Sequence, residues 1–209
     1  MERKKNISMA VIRRLPKYHR YLSELLNNDV DRISSKELSE KIGFTASQIR
    51  QDLNCFGDFG QQGYGYNVNE LYHQINNILG LNSPYNVIII GAGNIGQALA
   101  NYTRFPKLGI EIKALFDLNP KLIGLKIREK EIMDIDYLAQ YLQKENIDIA
   151  IVSVPNTNAQ KVCDILVDNK IKGIWNFAPV DLVVPEDIVV ENVHLSDSLL
   201  TLTCLLNKK

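Results

Sequence analysis

Cysteine, histidine and tryptophan are scarce in this chain, with three, three and one among 209 residues. The cysteines, Cys55, Cys163 and Cys204, are odd in number, far apart and in no metal-ligand spacing. That excludes a disulfide framework and a clustered metal site, and it reads as reduced thiols in a cytoplasmic protein. No apolar run approaches the roughly 18 residues of a membrane span. The basic start, Met1-Glu-Arg-Lys-Lys-Asn, has no apolar segment behind it, so secretion is not expected. Charge of one sign is also lacking, with 24 basic residues against 24 acidic. What is present is the composition of an ordinary globule, 45% hydrophobic and 23% charged, in a chain sized for one medium domain or two small ones.

The neutral total conceals an asymmetry. Residues 1–50 carry +5, residues 51–83 carry −3 and the remainder carries −2. A basic front end on a neutral chain points to a polyanionic partner, although a solvated charged face has the same composition. Punctuation changes at Leu81-Asn-Ser-Pro84. Helical spacing and a glycine-rich segment precede it, and strand-length apolar runs alternating with helices follow. The expected organisation is therefore a domain over 1–83, a second over 84–194 and a terminal helix over 195–209.

In the first part, Pro16 to Asn27 reads as a helix with Tyr18, Tyr21, Leu22, Leu25 and Leu26 on one face. Ser35–Ile42 is a second helix, opened by a capping box of Ser34 and Glu37 and closed at Gly43. Thr45 and Gln48 suggest another capping box, starting a third helix that runs to Phe56, with Ile49, Leu53 and Phe56 inward. Ala46, Ser47, Gln48, Arg50, Gln51 and Asn54 then lie on or near the outer face. Two short helices around a glycine turn make a helix-turn-helix candidate, as well as a plain helical hairpin. Gln, Arg, Ser and Thr are residue types that pair with base edges and phosphates. Phe56–Val68 follows, with four glycines among aromatics, and suggests a β-hairpin wing carrying Gln61, Gln62, Gly63 and Tyr64. A helix over Leu71–Leu79 leads into the boundary.

The second part opens with a strand, Tyr85–Ile90, running into Gly91-Ala92-Gly93-Asn94-Ile95-Gly96 and a helix containing Ala98, Leu99, Ala100 and Tyr102. A second strand, Ile110–Phe116, ends in Asp117. This is the dinucleotide fingerprint in its structural context. Gly91 allows the tight turn, Gly93 lets backbone approach a pyrophosphate, and Gly96 permits helix–strand packing. An acid at Asp117 accepts from a ribose diol and repels a 2′-phosphate, which favours NAD(H) over NADP(H). The bland alternative is a βαβ unit with an empty turn. Further helices near Ile135–Glu145 and Asn158–Asn169, with strands Ile147–Val154, Gly173–Phe177 and Val189–Val193, complete an open parallel sheet. Val154, Pro155 and Phe177 lie at strand carboxyl ends, where an apolar pocket would disfavour the cationic ring of NAD+ relative to NADH. Ser196–Leu206 is a leucine-rich helix that calls for a docking surface.

With these segments in place, the sequence resembles the Rex family of redox-sensing transcriptional repressors. The likeness rests on Arg14-Leu-Pro-Lys-Tyr18, Gln48-Ile-Arg-Gln-Asp-Leu53, Phe56–Val68 and Gly91–Gly96 with Phe116-Asp117, and spans nearly the whole chain in order. The resemblance implies an α/β fold: a Rossmann-type NAD(H)-binding domain preceded by a winged-helix domain, with a domain-swapped C-terminal helix. It implies a homodimer that binds double-stranded operator DNA when NADH is low and leaves it when NADH binds, with no membrane partner. By position, Thr45, Ser47, Gln48, Arg50, Gln51 and the wing contact DNA, while Gly91 to Gly96 and Asp117 hold the nucleotide. Arg14 and Tyr102 are similar to residues that exchange partners with a C-terminal acid. Here that position is filled by His194 or by Asp197. Gln61-Gln62 stand where many relatives carry Lys or Arg.

Two other readings compete. An NAD-dependent dehydrogenase with an appended helical domain would need a substrate domain. Only 126 residues follow Ser83, most of them needed for the sheet, and no Ser–Lys–Tyr or His–carboxylate group lies near the glycine loop. A thiol sensor at Cys55 would need basic neighbours to lower its pKa, and no pair of them is close in sequence.

Overall fold

The computed structural model describes residues 7–56 and 64–208. The chain divides into two compact units, Met1–Ser83 and Pro84–Lys209. Among the described residues no helix is long and apolar enough to cross a membrane.

The first unit is built on helical periodicity. A short helix α1 (Met9–Ile12) precedes α2 (Leu15–Leu26), whose Leu15, Tyr18 and Leu22 are buried against Leu71 and Ile75 of a later helix. Burial of each such side chain contributes about 1.5–3 kcal/mol. After β1 (Arg32–Ile33) comes α3 (Ser35–Ile42), with both halves of its capping box formed and a left-handed stop at Gly43. Next is α4 (Ala46–Asn54), then β2 (Tyr66–Asn67) and α5 (Val68–Leu79). Helix α4 ends two residues before Phe56, which still packs on the same core.

One expectation for this unit needs correction. The Thr45 hydroxyl does cap the Gln48 amide, at 3.1 Å, but the Gln48 side chain does not return to Thr45. It donates instead to Asp52, so only half of the box forms and Gln48 is half-buried rather than free on the outer face. The expected hairpin lies largely outside the described residues, and its described strand, Tyr66–Asn67, pairs antiparallel with Arg32–Ile33. Two-residue strands have too little alternation to be seen in a sequence.

The second unit contains β3 (Tyr85–Ile90), α6 (Asn94–Ala100), β4 (Ile110–Asp117), β5 (Lys126–Ile127), β6 (Lys130–Asp134), α7 (Leu138–Lys144), β7 (Ile149–Val152), α8 (Asn156–Asp168), β8 (Gly173–Asn176), β9 (Val189–Asn192) and α9 (Leu195–Leu206). The sheet runs β5-β6-β4-β3-β7-β8-β9. It is parallel except that β5 pairs antiparallel with β6, through a two-residue turn in which Arg128 takes φ 52°. This edge hairpin corrects the all-parallel expectation. Alternate residues of β3 serve two cores. Ile88 and Ile90 meet Leu138 of α7 and Ala159, Val162 and Leu166 of α8, whereas Val87 and Ile89 share a cluster with Leu99 and Ala100 of α6. Helix α6 stops at Ala100, so Tyr102 lies beyond it rather than within it.

Helix α9 buries none of its residues in the chain. Its six leucines, Leu195, Leu199, Leu200, Leu202, Leu205 and Leu206, are each 51–63% exposed.

Candidate functional site

The chain runs outward from β3 to β4 and β6, then returns to the other side of β3 through β7, β8 and β9. Strand order therefore reverses between β3 and β7, and the crevice beyond the carboxyl ends at such a reversal is where open α/β sheets take ligands. Gly91, Ser153, Phe177 and Asp117 follow the ends of β3, β7, β8 and β4 or close them.

The three glycines of the loop meet different surroundings. Gly91 has φ +97°, and a Cβ there would lie 2.5 Å from the Ser153 carbonyl oxygen. A Cβ on Gly96 would collide with the Gly91 carbonyl oxygen. Gly93, by contrast, is exposed and its Cβ would meet nothing within 4 Å. The first and third glycines are thus required by the protein's own packing, while the second leaves open space at the cap of α6. That cap makes no side-chain hydrogen bond, so the leading N–H groups around Asn94 and Ile95 remain available to an anion.

Asp117 closes the loop from the side. Its Oδ2 accepts from the Ala92 amide at 2.6 Å and its Oδ1 from the Asn119 amide at 2.7 Å. A carboxylate has about four acceptor positions, so two beyond these are left for a diol. Ser153 donates to the Gly91 carbonyl at 2.8 Å, and Gln97 donates to the Ala92 carbonyl at 2.8 Å. Val154 is buried, Pro155 exposed, and Phe177 half-buried with its ring edge-on to Trp175 at 4.7 Å. These residues fit an adenine dinucleotide: an open anion cradle, a ribose acceptor and an apolar end.

In the first unit, Thr45, Ser47, Arg50, Gln51 and Tyr64 are exposed. The Arg50 guanidinium is steadied by the Ser35 hydroxyl at 2.9 Å. Gln61, Gln62 and Gly63 lie outside the described residues. Beneath this face is a group the sequence reading did not single out. Asp52 of α4 is fully buried, and its carboxylate accepts from Arg14 Nε (2.6 Å), Arg14 Nη2 (2.7 Å), Tyr18 Oη (2.7 Å) and Gln48 Nε2 (2.8 Å). Desolvation works against the charge of Asp52, but these hydrogen bonds outweigh it and hold the carboxyl below the usual carboxylate range. Burial, reinforced by Asp52, pushes the Tyr18 phenol well above its ordinary value. The available signal was an acid beside Leu53 and three residues after Ile49, on the apolar face of α4.

The expected switch residues are accounted for separately. Arg14 is engaged by Asp52 within the first unit. In the second, Tyr102 is exposed with its ring edge-on to Phe105 at 4.8 Å. Asp197 stands in the first turn of α9, and among the described residues its carboxylate has no hydrogen bond or ion pair. His194, the cap residue of α9, lies 3.3 Å from Asp181. Cys163 is buried and its thiol is pushed up to about 11 by desolvation. Cys55 Sγ donates to the Gln51 carbonyl. Among the described residues no cluster suited to a metal ion occurs.

Two family models match the chain: "Putative DNA-binding protein N-terminus" over residues 6–54 and "CoA binding domain" over residues 82–180. A curated relative from Clostridium botulinum, named Redox-sensing transcriptional repressor Rex, is 84% identical across 100% of this chain and 99% of its own length. Among solved structures, RSP in complex with β-NAD+ and operator DNA superposes with a TM-score of 0.92 at 63% identity, covering 97% of this chain and 93% of that one. RSP in complex with β-NADH gives 0.90 at 60% identity, covering 97% and 95%.

Proposed function

The chain belongs to the Rex family of redox-sensing transcriptional repressors, and from that membership we propose that its first unit holds operator DNA and its second unit NAD(H), with NADH releasing the DNA. The family is one of regulators rather than enzymes. The observation that carries the nucleotide assignment is the contrast among Gly91, Gly93 and Gly96: packing requires Gly91 and Gly96, and Gly93 leaves room for a pyrophosphate. Asp117 receives the adenosine ribose, and Val154, Pro155 and Phe177 receive the nicotinamide. Coenzyme A shares the adenosine pyrophosphate but carries a ribose phosphate that the Asp117 carboxylate would repel.

The DNA face consists of Thr45, Ser47, Gln48, Arg50 and Gln51 on α4, with Gln61, Gln62, Gly63 and Tyr64 as the wing. Two copies act together, each giving α9 to its partner. Six leucines left in water support this reading, because apolar surface on that scale is a docking surface. Tyr102 and Asp197 change partners as the dimer rearranges, Arg14 joining them through the Nη1 that Asp52 does not engage, and the protein works in the cytoplasm beside its DNA.

An apolar nicotinamide pocket favours NADH because desolvating the cationic ring of NAD+ is costly. NADH then selects the dimer arrangement whose reading helices no longer match both half-sites. Shifting occupancy from 99:1 to 1:99 takes about 5.5 kcal/mol of differential binding, or about 2.8 from each of two sites. Linkage requires operator DNA to weaken NADH binding by the same total factor. Calorimetric titration of NADH, NAD+ and coenzyme A, with and without a palindromic AT-rich duplex, tests the proposal. NADH is expected to bind most tightly and coenzyme A least, with NADH weakened by the duplex. Equal NADH affinity in both conditions refutes the coupling.

A further inference from the structure

Asp52 has a consequence for how α4 reads a sequence. A carboxylate held ionised can only accept hydrogen bonds, so the end of the Gln48 amide that meets it at 2.8 Å is necessarily the NH2 group. The two ends of a glutamine amide are otherwise interchangeable by a half-turn of its last torsion, and an unrestrained Gln offers a base either a donor or an acceptor. Here the turn is blocked, because it would bring Oε1 against the buried carboxylate. Arg14, the cap residue of α2, and Tyr18 within it keep that carboxylate in place through three more hydrogen bonds. Among the described residues Gln48 Oε1 has no partner. Gln48 lies in the first turn of α4, the part of the second helix in a helix-turn-helix that contacts base edges, and it is half-buried rather than sealed.

Resting on the DNA-binding reading above, we propose that Asp52 is a positioning residue that fixes Gln48 with its carbonyl toward DNA, making Gln48 a reader of base amines. The bases that present an amine in the major groove are adenine and cytosine, whereas guanine presents only acceptors there. Gln48 therefore selects adenine or cytosine at one position of each half-site and rejects guanine.

The test uses full-length protein and a fluorescent duplex, the tightest recovered by the wild type from a random-sequence pool. Single adenines are replaced by purine and single cytosines by 2-pyrimidinone, each lacking only the exocyclic amine. At one position per half-site the wild type is expected to lose about 5- to 150-fold in affinity, equivalent to about 1–3 kcal/mol. Gln48→Ala is expected to be indifferent to the replacement there, yet as sensitive as the wild type elsewhere. Asp52→Asn frees the amide to turn and is expected to lose sensitivity at that same position only; a merely structural role would weaken every position alike. Gln48→Ala retaining the wild-type profile at every position overturns the proposal even if Asp52→Asn does not fold. Uniform loss in a folded Asp52→Asn overturns it as well. A wild type that selects no duplex from the pool overturns the DNA-binding reading itself, and the inference with it.

Discussion

The two units hold a helix N-terminus in place by opposite means. Helix α4 is held by side chains: a buried carboxylate at Asp52 gathers Arg14, Tyr18 and Gln48, and Thr45 supplies the cap. Helix α6 is held chiefly by close backbone approach: Gly91 and Gly96 bring backbone to backbone, the cap position carries no side chain, and Asp117, Ser153 and Gln97 bond only to backbone groups of the loop. The first arrangement is polar, titratable and alterable in steps. The second is steric and nearly all-or-none. The difference matches what each helix is proposed to present, because base edges are read by side chains and a pyrophosphate is met by bare backbone.

The sharpest way to break the comparison is Gly96→Ala. The added methyl has no room beside the Gly91 carbonyl, so a destabilisation of about 5 kcal/mol is expected, together with loss of nucleotide binding. Urea unfolding followed through Trp175, the sole tryptophan, measures the first, and NADH fluorescence the second. Arg14→Ala comes next, at about 3 kcal/mol, because it leaves the Asp52 carboxylate buried and short of its main partner. Hydrogen exchange should place that loss in α2 and α4 and leave α6 protected. Uniform loss across both units would contradict the separation.

Acid separates the two anchors without mutation. Asp52 has a folded-state pKa below its unfolded value of about 3.9, so its contribution is complete above that value. It is lost as pH falls through the lower, folded value. The contact between Gly91 and Gly96 does not titrate, so exchange in α4 should accelerate below pH ~4 relative to that in α6. The smallest effect is expected from Ser34→Ala, which removes one half of a complete capping box and costs about 1 kcal/mol by urea unfolding.

How legible each anchor was in the sequence follows from the same contrast. A glycine required by packing leaves a fixed spacing between a strand and a helix, so Gly91 and Gly96 are legible with their surroundings, and Asp117 by its position but not by its bond to the Ala92 amide. The capping box of Ser34 and Glu37 is also local, and it formed as expected. Asp52 acts through residues 34 and 38 positions away, and no local pattern reports such a partner. Helical spacing puts Gln48 on or near the outer face, and cannot register a hydrogen bond to a carboxylate one turn on. Strands β1, β2 and β5 have two residues each, too few for alternation to show. Tyr102 lies two residues past the end of α6.

The proposed sensing is tested most directly by the fluorescence anisotropy of a palindromic AT-rich duplex bound to the full-length protein, titrated with NADH and NAD+ in separate cells. Release by NADH at concentrations where NAD+ leaves the complex intact is the expected result. Equal release by both nucleotides, or by neither, contradicts it.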